Sequence, residues 1–458
     1  MRRTVLVGMC AAVGISLGAV AQAPADEAAV KAMLAAHESE TRRLLLAHST
    51  PIAAADAPYR AEDYLPLLRW VGGKRLIVVS EPTHAMHECR AENAKVVRAL
   101  VERAGVRTLI TEMGYAEGLE LDGFVRRGTG DVDDIVGPRG GVIWNTVEEA
   151  DTMRWIAGWN RTHPKKEMVR VAGMDIEGGT AAGPALLKLV AGLGLDAELM
   201  GRVRAGAEAA DRMKGPAKAG SPEADRAGSA AYDAALVDLI AVLRALPAGR
   251  LREDALRSAI SVRSGRRSAE LRAGGPDGND AGQRLREFEM ARSALAIMGD
   301  SKAPAMIVTH TVHLRPGRLT GDKVQTLGYH LARAMGDRAF FLGEDYGRGS
   351  MRALTPVVPG QTRHMHAAAL DRPMPGSMAA ALGDDGPLLI DLRDPKDGSP
   401  WSDWLESLQA THLYLAITYD EGDAGKPNWT VPADAFDALI YVPKVTPLHP
   451  IGAPEYVP

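Results

Sequence analysis

Six ionisable residues of this chain stand where short apolar runs end. Arg75 to Val79 leads into Ser80-Glu81-Pro82-Thr83-His84, and Arg107 to Thr111 leads into Glu112. Val169 to Gly173 leads into Met174-Asp175, and Ala305 to Thr309 leads into His310-Thr311-Val312-His313. A carboxylate beside an imidazole fixes the ring's tautomer and raises its basicity, which is what a general base requires. Taken singly, Glu112 could cap a helix and Asp175 could serve a turn. Taken together, an ionisable group at the same strand-end position four times over points to one cleft. The pairs His84/His87 and His310/His313 also allow a metal reading, because histidines at i and i+3 on a helix share a face and can chelate. The first pair straddles a strand-to-helix turn, where that geometry is not assured.

Other hydrolytic and nucleotide chemistries lack their motifs. The serine-hydrolase pattern Gly-x-Ser-x-Gly occurs only as Gly14-Ile15-Ser16-Leu17-Gly18, inside the N-terminal apolar stretch. There is no His-Glu-x-x-His, no phosphate-binding loop of Walker spacing, and no Gly-x-Gly-x-x-Gly after a strand. Cys89 reads as a small buried helical residue rather than a nucleophile.

The elements that must position these residues follow from hydrophobic rhythm. Short β-branched runs at 75–79, 107–111, 169–173, 305–309, 339–342, 388–392, 412–418 and 438–441 predict strands. Helical stretches at 26–48, 88–104 and 148–160 separate several of them. Alternating strands and helices predict an α/β fold with a mainly parallel sheet sandwiched by helices, whose sites lie at the C-terminal strand ends. Residues 183–283 have almost no β-branched runs. They predict an all-helical insertion between two parts of the α/β domain, 24–182 and 284–458. Its arginine-rich stretch, Arg263 to Arg272, reads as a solvated helix face because acidic residues flank it.

The chain has 458 residues, 46% hydrophobic and 24% charged, with a net charge of −4. That balance suits a globular protein and gives no basic surface for a nucleic acid, so no nucleic-acid partner is expected. Arg2 and Arg3 precede an apolar run from Thr4 to Val20, and Ala21-Gln22-Ala23 fits a small-x-small cleavage rule. This predicts a signal peptide cleaved after Ala23, a periplasmic or secreted location and no membrane span afterwards. Of two cysteines, Cys10 would leave with that peptide, so the mature chain could form no internal disulfide.

At these residues the chain resembles the erythromycin esterase family. Members carry a strand, Gly-Glu-x-Thr-His, a helix, and a strand ending in Glu; here these are Ser80 to His84 and then Thr111-Glu112. The likeness continues through Gly173-Met174-Asp175, Arg286-Glu287-Phe288-Glu289-Met290-Ala291, His310 to His313, and the Gly328–Gly349 segment with its Glu344-Asp345. It extends to Pro375-Gly376-Ser377, Asp391-Leu392-Arg393 and Phe436 to Ile440. The resemblance implies a hydrolase of the macrolactone-esterase kind, with a small-molecule ester or lactone substrate, no cofactor and no metal. It implies that His84 activates water, that Glu81 and Glu112 orient and polarise it, and that His310 and His313 bind the substrate carbonyl or shape the site. Arg286 would supply positive charge near the oxyanion, and His87 and Asp175 would touch substrate. The chain departs from the family pattern at Ser80, His87, Asn93, Thr311 and Glu287, where the family has Gly, Arg, a basic residue, Asn and Asp. Two other readings stay open: a metal-dependent hydrolase using the four histidines with Glu81 or Glu112, and a non-catalytic binder of haem or an iron complex. The last follows from a distant likeness of the family to haem-handling proteins.

Overall fold

The structure, a computed structural model, describes residues 27–137, 141–176, 182–212, 222–299, 301–314, 324–355, 365–370, 373–412 and 428–452. The expected signal peptide, residues 1–23, lies outside them. Eleven strands are found among the described residues: β1 (Ser49–Pro51), β2 (Leu76–Glu81), β3 (Thr108–Gly114), β4 (Arg170–Asp175), β5 (Ala305–His310), β6 (Ala339–Leu354), β7 (Met365–Leu370), β8 (Leu388–Asp391), β9 (Gln409–Thr411), β10 (Asn428–Thr430) and β11 (Ala438–Val445).

Nine of them form one sheet in the order β1-β8-β11-β6-β2-β5-β3-β4, with β7 paired to β6 off that path. From β11 to β4 all neighbours are parallel; β1, β7 and β8 pair antiparallel and make the sheet mixed at its periphery. The central strands are continuous apolar runs because both faces are covered. Along β2, Ile77 and Val79 enter one core with the helices His87–Arg103 and Val147–Thr162, while Leu76 and Val78 enter a second core on the opposite face. The α/β fold with a mainly parallel, helix-covered sheet is therefore as the sequence predicts.

Three details differ. The strand expected at 412–418 is displaced: Gln409–Thr411 pairs with Asn428–Thr430 in a separate two-stranded sheet, His412 is outside it, and 413–418 lie outside the described residues. β1 and β7 are not anticipated, being short or alanine-rich edge pieces with weak apolar signal. The boundary drawn at 283/284 falls inside the continuous helix Pro276–Met298. The chain breaks earlier, at Gly275 with φ +86°, a backbone that favours glycine.

Between β4 and β5 the described residues are helical, and they carry a core of their own around Leu186, Val203, Tyr232, Leu236, Leu243 and Ala259. Helices Arg250–Arg272 and Pro276–Met298 form its last hairpin. Ser268 Oγ donates to the Gly282 carbonyl at 2.9 Å, and a Cβ on Gly282 would lie 2.5 Å from the Ser268 carbonyl oxygen. Gly282 thus permits close helix contact. No helix among the described residues is long and apolar enough to cross a membrane.

Candidate active site

Parallel pairing delivers the strand-end residues to one rim, in an order the sequence does not show. β5 lies between β2 and β3, so Glu81 is paired in register with His310. β3 pairs with β4, where Gly114 meets Asp175 after a register shift that begins past Thr111. Glu112 sits in that irregularity, and a bulge re-aims side chains. β3 hands its ladder to the Glu112 carboxylate: Oε2 accepts from the His310 backbone N–H at 2.9 Å and from Thr309 Oγ1 at 2.7 Å.

His84 follows β2 by three residues and is buried (6% exposed). Its Nδ1 donates to Glu81 Oε1 at 2.6 Å, and its Nε2 lies 3.5 Å from Glu112 Oε2. Burial alone would lower its pKa, but the charges of Glu112 and Glu81 and their hydrogen bonds raise it to about 8. His310, whose ring centroid is 4.9 Å from that of His84, donates from Nε2 to the Pro82 carbonyl at 2.8 Å. Burial and the neighbouring His84 charge push it down to about 3, so it stays neutral. His313 is held by two carboxylates, through Nδ1 to Glu287 Oε1 (2.6 Å) and Nε2 to Glu112 Oε1 (3.1 Å). Burial opposes its charge, but those carboxylates raise it to about 10. Glu112 is in turn held well below the carboxylate range, because His313 and His84 outweigh its burial.

Arg286, from the helix Pro276–Met298, grips Asp175 in a two-pronged contact, Nε to Oδ1 at 3.0 Å and Nη2 to Oδ2 at 2.6 Å, and reaches Glu112 Oε1 at 3.3 Å. The helical segment therefore contributes to the rim through Arg286 and Glu287. Asp175 is next to a tight passage: Gly173 approaches the Gly114 carbonyl so closely that a Cβ would lie 2.1 Å from it.

Of the residues singled out from the sequence, Glu81, His84, Glu112, Asp175, Arg286, His310 and His313 come together. His87 does not. Its ring binds Glu148 at Nδ1 (2.6 Å) and Asp56 at Nε2 (2.8 Å), because it opens the helix His87–Arg103 and faces outward from the rim. The four-histidine metal reading also fails to gather at the rim. Among the described residues, the three donors that cluster as a metal site are His87, Glu148 and His449.

The sequence reading missed Arg90, Glu149, Trp144 and Glu344. Arg90 is 3% exposed and bridges Glu81 (2.8 Å) and Glu149 (2.9 Å), with its guanidinium 5.2 Å from the Trp144 ring centroid. It supplies on this helix the positive charge that the family pattern puts at the positions of His87 and Asn93. Its signal was available, since Arg90 is the first arginine or lysine of that helix. Trp144 walls His84 at 5.3 Å between ring centroids. Glu344 is fully buried behind the rim, and burial together with the Glu81 charge pushes its pKa well up.

Comparison with known proteins adds an independent line. The sequence model of the erythromycin esterase family matches residues 101–445. An Escherichia coli protein described as erythromycin esterase type II is 27% identical over 116 residues, 25% of this chain; the match spans about a quarter (26%) of that relative. Among solved structures, a Bacillus cereus protein superposes with a TM-score of 0.72 at 20% identity, covering 90% of this chain and 98% of its own. One described as a succinoglycan biosynthesis protein gives 0.71 at 15%, over 90% and 98%. A mutant of the erythromycin esterase EreC in its open conformation gives 0.66 at 15%, over 86% and 96%. At these identities the likeness speaks for the fold.

Proposed function

The chain belongs to the erythromycin esterase family, whose membership suggests a hydrolase, and from that premise we propose that it cleaves an ester or lactone with water activated by His84. The observation that carries this reading is the setting of His84, whose Nδ1–H is committed to Glu81 at 2.6 Å. That hydrogen bond makes Nε2 the basic nitrogen, on the side of Glu112. Nε2 takes a proton from water as the oxygen attacks the carbonyl carbon. The tetrahedral intermediate then expels the alkoxy oxygen, which takes the proton back from His84, yielding an acid and an alcohol. Proton transfer by a placed base contributes roughly 10²–10⁴-fold.

The other rim residues have supporting roles in this proposal. Glu112 is ionised and steadies the imidazolium that forms. His313, held protonated, fixes Glu112, and Arg286 fixes Asp175 and Glu112 while bringing positive charge to the oxyanion side. His310, neutral, and Trp144 shape the wall where the carbonyl lies. The family and the two similar proteins described as erythromycin esterases support a small-molecule ester or macrolactone as the substrate class. The apolar leader and Ala21-Gln22-Ala23 support a periplasmic or secreted location for the reaction. Mass spectrometry of periplasmic protein checks this, with Pro24 as the expected first residue.

The deciding test is turnover of a panel of chromogenic esters, lactones and macrolides by the wild type and His84→Ala. Turnover by the first, reduced roughly 10²-fold or more in a folded second, supports the reading. Equal turnover by both, or none by the wild type across the panel, overturns it.

A further inference from the structure

His87, Glu148 and His449 form a second histidine–carboxylate cluster, which the proposed reaction does not use. Their donor atoms all lie within 4.8 Å of one another. The Nδ1 atoms of His87 and His449 approach the same oxygen, Glu148 Oε1, at 2.6 and 2.7 Å. Three distant segments supply them: the start of the helix His87–Arg103, the first turn of the helix Val147–Thr162, and the stretch after β11. Main-chain bonds lock those segments together. The His87 N–H donates to the Thr446 carbonyl at 2.9 Å and the Val147 N–H to the His449 carbonyl at 2.8 Å. The three side chains are thus held in place by backbone, independently of one another.

Two further observations separate this cluster from an ordinary ion pair. Glu148 is 8% exposed, and its second oxygen, Oε2, is buried with no hydrogen-bond partner, whereas buried carboxylate oxygens are ordinarily satisfied. His87 Nε2 donates to Asp56 Oδ1 at 2.8 Å. A carboxylate on the outer nitrogen is the arrangement that orients metal-bound imidazoles and increases their basicity. The His449 side chain is about half exposed, so the cluster is open to solvent.

We propose that His87, Glu148 and His449 bind a Zn²⁺ ion through the two Nδ1 atoms and the Glu148 carboxylate, with water completing the shell. Two imidazoles and one carboxylate suit this borderline ion. Donors in a tetrahedral zinc shell stand ~3.3 Å apart, so the two short contacts open by less than ~1 Å, within reach of ring rotation. The ion staples the C-terminal stretch onto the loop that carries His84, because Leu448 N–H already reaches the Ala85 carbonyl at 3.4 Å.

The test uses the full chain stripped with a chelator and titrated with ZnCl₂ by calorimetry, with CoCl₂ as a visible-absorption probe. One equivalent should bind, the cobalt spectrum should show imidazole coordination, and the melting midpoint should rise. His449→Gln, at a solvent-exposed position, should abolish all three, and Asp56→Ala should weaken binding by roughly ten- to a hundredfold. His84→Ala should bind zinc as the wild type does. No binding by stripped protein, unchanged binding by His449→Gln, or loss on His84→Ala alone would each overturn the proposal. None of these readouts depends on turnover, so the hydrolase reading stands or falls apart from this one.

Discussion

Two histidine–carboxylate clusters begin three residues apart in the chain, at His84 and at His87, and they manage their protons differently. On the rim the three imidazoles are buried, and what each does is set by the charges around its ring. Burial and the His84 charge push His310 down to about 3; against burial, Glu287 and Glu112 raise His313 to about 10, and Glu112 at 3.5 Å with Glu81 raises His84 to about 8. In the outer cluster two histidines answer to one carboxylate beside solvent, and the Glu148 hydrogen bond, against partial burial and with Asp56, lifts His87 to about 9. Burial makes the number and placement of partners decisive, and it separates three chemically identical side chains into a neutral wall, a fixed cation and a base near its working range. In the outer cluster the same residue types converge on one oxygen, which suits ligation better than proton transfer.

The contrast can be broken most directly at His84. His84→Ala should lower kcat/KM by roughly 10²–10⁴-fold with an unchanged circular dichroism spectrum. A folded variant with normal turnover would place the base elsewhere.

At His313 the effect should fall on stability. His313→Ala leaves Glu112 and Glu287 buried without their shared cation, and chemical denaturation should show a loss of about 3–5 kcal/mol. The sign with pH follows from its raised pKa. The protonated ring contributes fully below its ordinary value of 6.5, and that contribution is lost as pH rises toward about 10. Wild-type stability should fall across this window more steeply than that of the variant.

The pH profile sharpens the account of His84. The base must be neutral to act, so kcat/KM should rise with pH along a limb near pH 8. Glu81→Gln removes one of the charges that raise this pKa, and the limb should move to lower pH. An unmoved limb would mean that Glu81 does not govern the titrating group, a result best read for the rim as a coupled set.

The smallest effect belongs to the outer cluster without metal. Asp56 is exposed, so Asp56→Ala in zinc-free protein should change stability by only ~0–1 kcal/mol in urea titration. A larger loss would show that the contact already orders this cluster without an ion.

Much of this was written locally. The runs at 75–79, 107–111, 169–173 and 305–309 read as buried strands, being short and rich in β-branched and apolar residues. Alternation with helices made a parallel sheet the natural way to join them. An ionisable residue just past each run had to lie at a strand end, which is why Glu81, His84, Glu112, Asp175, His310 and His313 were legible from sequence. Strand order was not, because pairing between segments far apart in the chain, such as Leu76 with Ala305 or Ser49 with Ile390, leaves no local trace; placing β5 between β2 and β3 is what brings His310 beside Glu81. Nor were partners legible. His87 looked like part of the His84 motif, but one helical start turns it toward Glu148 and His449, while Arg90, one turn later, comes back to Glu81. Residue type and spacing determined which chemistry was available. Burial and the direction of each side chain, decided only when the chain is folded, determined which histidine is neutral, which is charged and which is poised between.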